Sequence, residues 1–209
     1  EVEGKTQVYM QLKSGESIIL QTFTRSLQGV PEWKYRKEMD YSLSLDHGWK
    51  LKFVESYPAI EGEFKIDTPS SWTEMAHPAT KINRGTALYS LELDLPELSA
   101  DDWILDLGDV RESARVRING QEAGVAWSAP FRLSIGQLLK PGKNLIEVEV
   151  TNLPANSIAE MDRQGKQWRI FEDINMAKLN YEKGTYGHWE TLPSGLNGIV
   201  RLIPVKYLF

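Results

Sequence analysis

Cysteine is missing altogether from this chain, which excludes disulfides, thiol nucleophiles and thiolate metal ligands. Histidine is scarce. Of the three, His47 lies beside Gly48 and His77 precedes Pro78, in turn contexts, and neither belongs to a metal-ligating spacing. There is no G-x-S-x-G elbow, no phosphate loop and no H-E-x-x-H pair. No apolar run approaches the ~18 residues that a spanning helix needs, so no membrane partner is expected. Positive charge is not in excess: 24 Lys and Arg stand against 29 Asp and Glu, net −5, which gives no electrostatic reason for a nucleic-acid partner. No basic segment with an apolar h-region opens the chain, and the first residue is Glu1 rather than Met. The expectation is an export signal removed or carried on a longer precursor, with a periplasmic or extracellular location in a bacterium.

What is present is alternation. From Leu105 to Asn152 the chain reads as strands joined by turns. Ala114, Val116 and Ile118 share one face, with Arg115 and Arg117 on the other; Ile146, Val148 and Val150 do the same against Glu147 and Glu149. A two-residue period with one apolar face marks half-buried antiparallel strands. Asn119-Gly120 between two such runs predicts a type I′ hairpin, since both residues tolerate positive φ. Trp49, Leu51 and Phe53 alternate, as do Tyr89, Leu91, Leu93 and Leu95, and Ile199 to Val205 supplies a closing strand. The pattern predicts an all-β fold, an antiparallel β-sandwich, and the 209 residues suffice for one large β domain or two small ones. Trp49, Trp72 and Trp103 are expected in its core, at inward strand positions.

Ahead of that unit, Val8, Met10 and Leu12 alternate, Ser14-Gly15 turns, and Ile18 and Leu20 alternate again. This predicts a hairpin, which needs a sheet to join. The polar stretch through Asp40 is expected to be a linker or irregular crossing, so residues 1–44 form a hairpin segment and linker that completes a preceding β domain. Helix signals are thin. Ser134 to Lys140 can make one turn, and Ser157 to Gln164 predicts a short helix capped by Asn156 and stopped by Gly165. The excursion from Asn152 to Gly198 holds Trp168, Phe171, Tyr181, Tyr186 and Trp189, which argues against disorder.

At SLDHGWKLKF (Ser44 to Phe53), PSSW (Pro69 to Trp72), GTALYSLEL (Gly85 to Leu93) and SGLNGIVRL (Ser194 to Leu202), the chain resembles the sugar-binding sandwich of family 2 glycoside hydrolases, the β-galactosidase and β-glucuronidase group. The block LDLGDV…VRINGQEAGVAWSAPF…LKPGKNLIEVEVTN, with GESIIL (Gly15 to Leu20), is closer to the C-terminal sandwich of family 106 α-L-rhamnosidase-type proteins. The resemblance covers roughly residues 45–209. It implies a jelly-roll, galactose-binding-like domain there, and an accessory module of a larger hydrolase, because in those enzymes the catalytic carboxylates sit on a (β/α)₈ barrel. This chain has no repeating βα pattern for such a barrel.

Independent catalysis would need two carboxylates about 5 to 10 Å apart across a sugar. Glu92, Asp94, Glu147 and Glu149 occupy outward strand positions and read as a solvated face. Glu160, Asp162, Glu172, Asp173 and Glu190 lie in the long excursion and are the acids worth following. No catalytic residue is assigned. No cofactor or metal is expected either; calcium occurs in sandwiches of this general type, but no oxygen-ligand spacing points to one.

Successive antiparallel strands alternate ends. Counting directions from Gly85 brings Arg84, Glu112, Trp127, Asn152 and the aromatic-rich excursion to one rim, and sends Asn119-Gly120 to the opposite end. In family 2 enzymes the corresponding rim faces the barrel and helps close the substrate pocket, which is what the resemblance implies here. Pyranose rings present apolar C–H faces to Trp and Tyr, while Asn, Arg and Glu satisfy hydroxyls. The candidate carbohydrate contacts are therefore Arg84, Glu112, Trp127, Asn152, Trp168, Tyr186, His188 and Trp189. For Trp168 and Trp189 a loop-plugging role stands beside ligand contact, and for Trp127 packing on Pro130 and Phe131. The expected partners are an oligosaccharide or polysaccharide and the catalytic barrel of the parent chain. A free-standing carbohydrate-binding module and a purely structural or docking domain remain alternatives.

Overall fold

The computed structural model describes residues 7–30, 33–97, 99–169 and 184–208. Thirteen strands are assigned among them: β1 (Arg36–Glu38), β2 (Leu43–Ser44), β3 (Trp49–Tyr57), β4 (Glu63–Ile66), β5 (Arg84–Leu95), β6 (Asp102–Asp106), β7 (Val110–Arg111), β8 (Ser113–Ile118), β9 (Gln121–Ala126), β10 (Arg132–Ser134), β11 (Gly142–Thr151), β12 (Gly195–Leu196) and β13 (Arg201–Tyr207). Six of them form the larger layer in the order β4-β3-β5-β11-β8-β9. A five-stranded layer follows β1-β13-β6-β10, with β2 also on β13, and β12 pairs β7 in a short ribbon. Every pairing is antiparallel. The fold is an all-β sandwich.

The alternation explains the layers. In the larger sheet Trp49, Leu51 and Phe53 of β3, Ala87, Tyr89 and Leu91 of β5, Ile146, Val148 and Val150 of β11, and Ala114, Val116 and Ile118 of β8 all point inward and are buried. They meet Trp103 and Leu105 of β6 and Leu202 of β13 in one apolar cluster. Full burial of each of the larger aliphatic and Phe side chains contributes roughly 1.5–3 kcal/mol, so a strand slipped by one residue would forfeit its whole inward row. Asn119 (φ 53) and Gly120 (φ 78) both adopt the left-handed geometry that closes the β8–β9 hairpin.

Four local expectations need adjustment. Ser14-Gly15 does turn, with Glu16 N donating to Lys13 O at 3.0 Å, but no strand is assigned in residues 7–30. The Gln11 side chain explains this in part: its amide takes both the N–H and the C=O of Arg36 at 2.8 Å, occupying the edge that a neighbouring strand would use. The stretch expected to be a linker contributes β1, whose Lys37 and Glu38 register with Lys206 and Val205 of β13. Trp72 is buried as expected but sits in a 3₁₀ turn, Trp72–Glu74, capped by Ser71, rather than on a strand. The helix expected from Ser157 starts earlier, so α1 spans Ala155–Arg163. Its cap is not Asn156, whose side chain is drawn off to hold Leu192. Asn156 Nδ2 donates to Leu192 O and Leu192 N donates to Asn156 Oδ1, both at 2.8 Å. Gly165 (φ 64) does end it: Gly165 N bonds Asp162 O and Lys166 N bonds Met161 O, the paired bonds of a Schellman cap.

Candidate functional site

The registers settle which residues share an end of the large sheet. Glu55 faces Thr86, Thr86 faces Thr151, and Thr151 faces Ser113. One step outward, Asn152 N bonds Gly85 O (3.1 Å) and Glu112 N bonds Thr151 O (2.8 Å). Ala114 faces Ala126, which puts Trp127 just beyond the same end. Arg84, Glu112, Trp127 and Asn152 thus stand at one pole, and the Asn119-Gly120 turn at the other.

Their chemistry differs. Asn152 is 8% exposed and its amide is engaged inside the protein. Its Oδ1 accepts from Gly85 N at 2.9 Å, and its Nδ2 donates to Asn83 O at 3.0 Å and to Ser194 Oγ at 3.1 Å. Those bonds tie the starts of β5 and β12 to the end of β11. Arg84 lays its guanidinium over the Tyr57 ring, 4.6 Å from the centroid. Glu112 is exposed and its carboxylate has no partner among the described residues. Trp127 is 75% exposed, so most of its indole surface is open to solvent.

Trp168, Tyr186 and Trp189 form a separate group. Tyr186 lies between the two tryptophans, 5.8 Å from the Trp168 ring and 4.6 Å from that of Trp189. Arg169 covers one side, 4.7 Å from the Trp168 centroid and 5.3 Å from that of Tyr186. Asp162, at the last turn of α1, holds the group: Trp168 Nε1 donates to Oδ1 at 2.5 Å, and Tyr186 N donates to Oδ2. Trp189 remains 40% exposed, and His188 is exposed in the adjoining turn. Because α1 is nine residues long, its far end lies roughly 13 Å from the residues that precede it. The eight candidates therefore divide into the sheet pole and this aromatic stack. Of the acids considered, Glu160 pairs with Arg163 at 3.0 Å and Glu190 is exposed, while Glu172 and Asp173, with Phe171 and Tyr181, lie outside the described residues. No group of three or more His, Asp or Glu suited to a metal occurs among the described residues.

At the pole, the outer face of the large sheet is hollowed. A groove of about 440 Å³ is lined by Val54, Glu55, Thr86, Ser113, Arg115, Val125, Glu149 and Thr151. A second hollow of about 370 Å³ shares Glu55 and runs past Tyr57 to Arg84 and Asn152. The first groove is lined by hydroxyls, Thr86 Oγ1 and Thr151 Oγ1 being 2.8 Å apart. Two arginines on this face behave differently. Arg117 Nη1 meets Glu149 Oε1 at 2.6 Å; that hydrogen bond first, then the charges of Glu149, Glu147 and Glu122, hold its guanidinium more firmly protonated than usual. Arg115, one row nearer the pole, has no hydrogen bond or ion pair among the described residues. Sequence reasoning took this outward row for an ordinary solvated face and so passed over Glu55, Arg115 and Thr151. Counting one residue in from the rim positions Asn152 and Glu112 would have found Thr151 and its neighbour Ser113, but neither Glu55 nor Arg115. The bulge between Phe53 and Glu55, which turns both Val54 and Glu55 toward the groove, left no trace in the alternation.

No family model matches the chain. It is homologous to part of a curated protein from Formosa agariphila named "Putative beta-glucuronidase", at 30% identity over 185 residues, 79% of this chain and 16% of that one. The chain thus spans about 16% of the length of that relative. Among solved structures, a rhamnosidase from Novosphingobium sp. PP1Y superposes with a TM-score of 0.63 at 25% identity, over 83% of this chain and 16% of that one. A Bifidobacterium dentium β-glucuronidase complexed with coumarin-3-O-glucuronide gives 0.56 at 19%, over 81% of this chain and 31% of that one, a likeness of fold. These comparisons make the chain similar, in fold and over a limited part of their length, to a β-sandwich region of larger glycoside hydrolases.

Proposed function

We propose that this chain is a non-catalytic, carbohydrate-associated sandwich of a larger polysaccharide-degrading glycoside hydrolase, and that its hollowed pole forms or supports one wall of the substrate pocket. The observation that carries the reading is the partial match: the sandwich corresponds to 16% of a β-glucuronidase-named protein and to 16% of a rhamnosidase, both far larger than itself. The pole supports it. Glu112 and Trp127 present exposed polar and aromatic groups, and Arg84 lies over Tyr57, at the end where the β5, β8, β9 and β11 termini gather beside the groove. An oligosaccharide or polysaccharide, the catalytic barrel of the parent chain and an extracytoplasmic setting belong to the same proposal.

In the complete hydrolase, Trp127→Ala and Arg84→Ala are expected to raise KM several-fold while kcat stays within about twofold, since they alter binding in ground and transition states alike. A collapse of kcat at unchanged KM would place chemistry on the sandwich and overturn the reading.

A further inference from the structure

We propose that the groove on the outer face of the large sheet is a subsite for an acidic saccharide, one bearing a uronic-acid carboxylate, with Arg115 as its carboxylate anchor. The inference deepens the accessory role by naming the chemistry that this wall would hold. It starts from charge. Of the two outward arginines of β8, Arg117 is neutralised by Glu149, whereas Arg115 keeps a complete fork of donors directed at nothing in the protein. An unengaged guanidinium in a groove favours a planar carboxylate, which it can grip with two parallel hydrogen bonds. The rest of the lining includes Glu149, which faces Arg115 across the strands and is held by Arg117, and it otherwise suits a polyhydroxyl ligand. Thr86, Thr151 and Ser113 form a cross-strand row of hydroxyls beside Arg115, and Glu55 at the β3 end can accept from sugar hydroxyls. Val125 offers an apolar patch at the other end, with Trp127 two residues on. The groove spans β3, β5, β11, β8 and β9, about 19 Å at the usual strand spacing. That is room for a short chain of sugars laid across the strands, and the volume lies within the range of small-molecule sites.

The test titrates trigalacturonic acid and its fully methyl-esterified form, the same skeleton without charge, into the purified chain, followed by amide chemical shifts or calorimetry. The expected result is weak but saturable binding of the acid, reduced tenfold or more by esterification, by Arg115→Ala and by raised salt. Lys143→Ala, on the same face near the opposite pole, should bind as the unmodified chain does. Because the Arg115 side chain bonds nothing in the protein, Arg115→Ala should keep its melting temperature, so lost binding reads as a lost contact. Equal binding of acid and ester, or binding indifferent to Arg115→Ala, overturns the proposal, as does absence of binding to the acid. None of these outcomes moves the KM and kcat test of the accessory role, so the two readings fail separately.

Discussion

At the scale of single residues, the pole is held by groups whose bonds leave little for a ligand. Asn152 is the clearest: three hydrogen bonds at 2.9–3.1 Å join three chain segments through one buried amide. Asn152→Ala leaves buried donors and acceptors unmatched and should cost roughly 2–3 kcal/mol in urea unfolding, with the melting temperature falling accordingly. Tyr89 plays the same part deeper in. Its buried hydroxyl accepts from Leu196 N at 3.1 Å, and burial pushes its pKa well above the ordinary tyrosine value, against the smaller opposing pull of that bond. The sign follows: above about pH 10 the unfolded chain releases this proton and the folded one retains it, so stability present below that pH is lost as pH rises. Between about pH 8 and about pH 11 the unmodified chain should lose about 1.4 kcal/mol more than Tyr89→Phe, measured by urea unfolding at both pH values. Equal losses would mean that this hydroxyl titrates normally.

At the scale of elements, the legible parts were those where a side-chain period decides the outcome. Ala114, Val116 and Ile118, or Ile146, Val148 and Val150, can bury one face only as strands, and they do. Asn119-Gly120 admits few turns, and it forms the one expected. What escaped was set by distant partners. Asn156 looks like a helix cap but is claimed by Leu192, 36 residues on, and Gln11 takes the Arg36 edge that a strand could have used. No window of sequence contains both members of such a pair. The candidate site divides the same way: direction counting gathered Arg84, Glu112, Trp127 and Asn152 at one pole, whereas the aromatic stack depends on Asp162 at the far end of α1. Two glycines grade the cost of altering these elements. At Gly165, in left-handed geometry with open space around it, Gly165→Ala should cost about 1 kcal/mol and quicken amide exchange at the end of α1. At Gly195 an added Cβ would fall 2.3 Å from Tyr89 Oη and 2.8 Å from the Trp72 ring, so Gly195→Ala should lower the melting temperature much further. Equal effects would contradict the packing described around β12.

At the scale of the whole molecule, two antiparallel layers bury their tryptophans at Trp49 and Trp103, with Trp72 in the turn between them and Trp127 turned out to solvent. That division suits a module whose inside serves stability and whose pole serves recognition. The groove lies across five strands of one rigid sheet, so its row of Glu55, Thr86, Thr151 and Ser113 is fixed by backbone hydrogen bonds rather than by loops. On the proposed reading such a wall would orient a saccharide without performing chemistry on it. The most direct measurement is release of aglycone from a panel of aryl glycosides, β-glucuronide and α-L-rhamnoside included, by the purified chain alone. The account predicts no release above the spontaneous rate; turnover that persists through purification and disappears on substitution of an acid of this chain would contradict it.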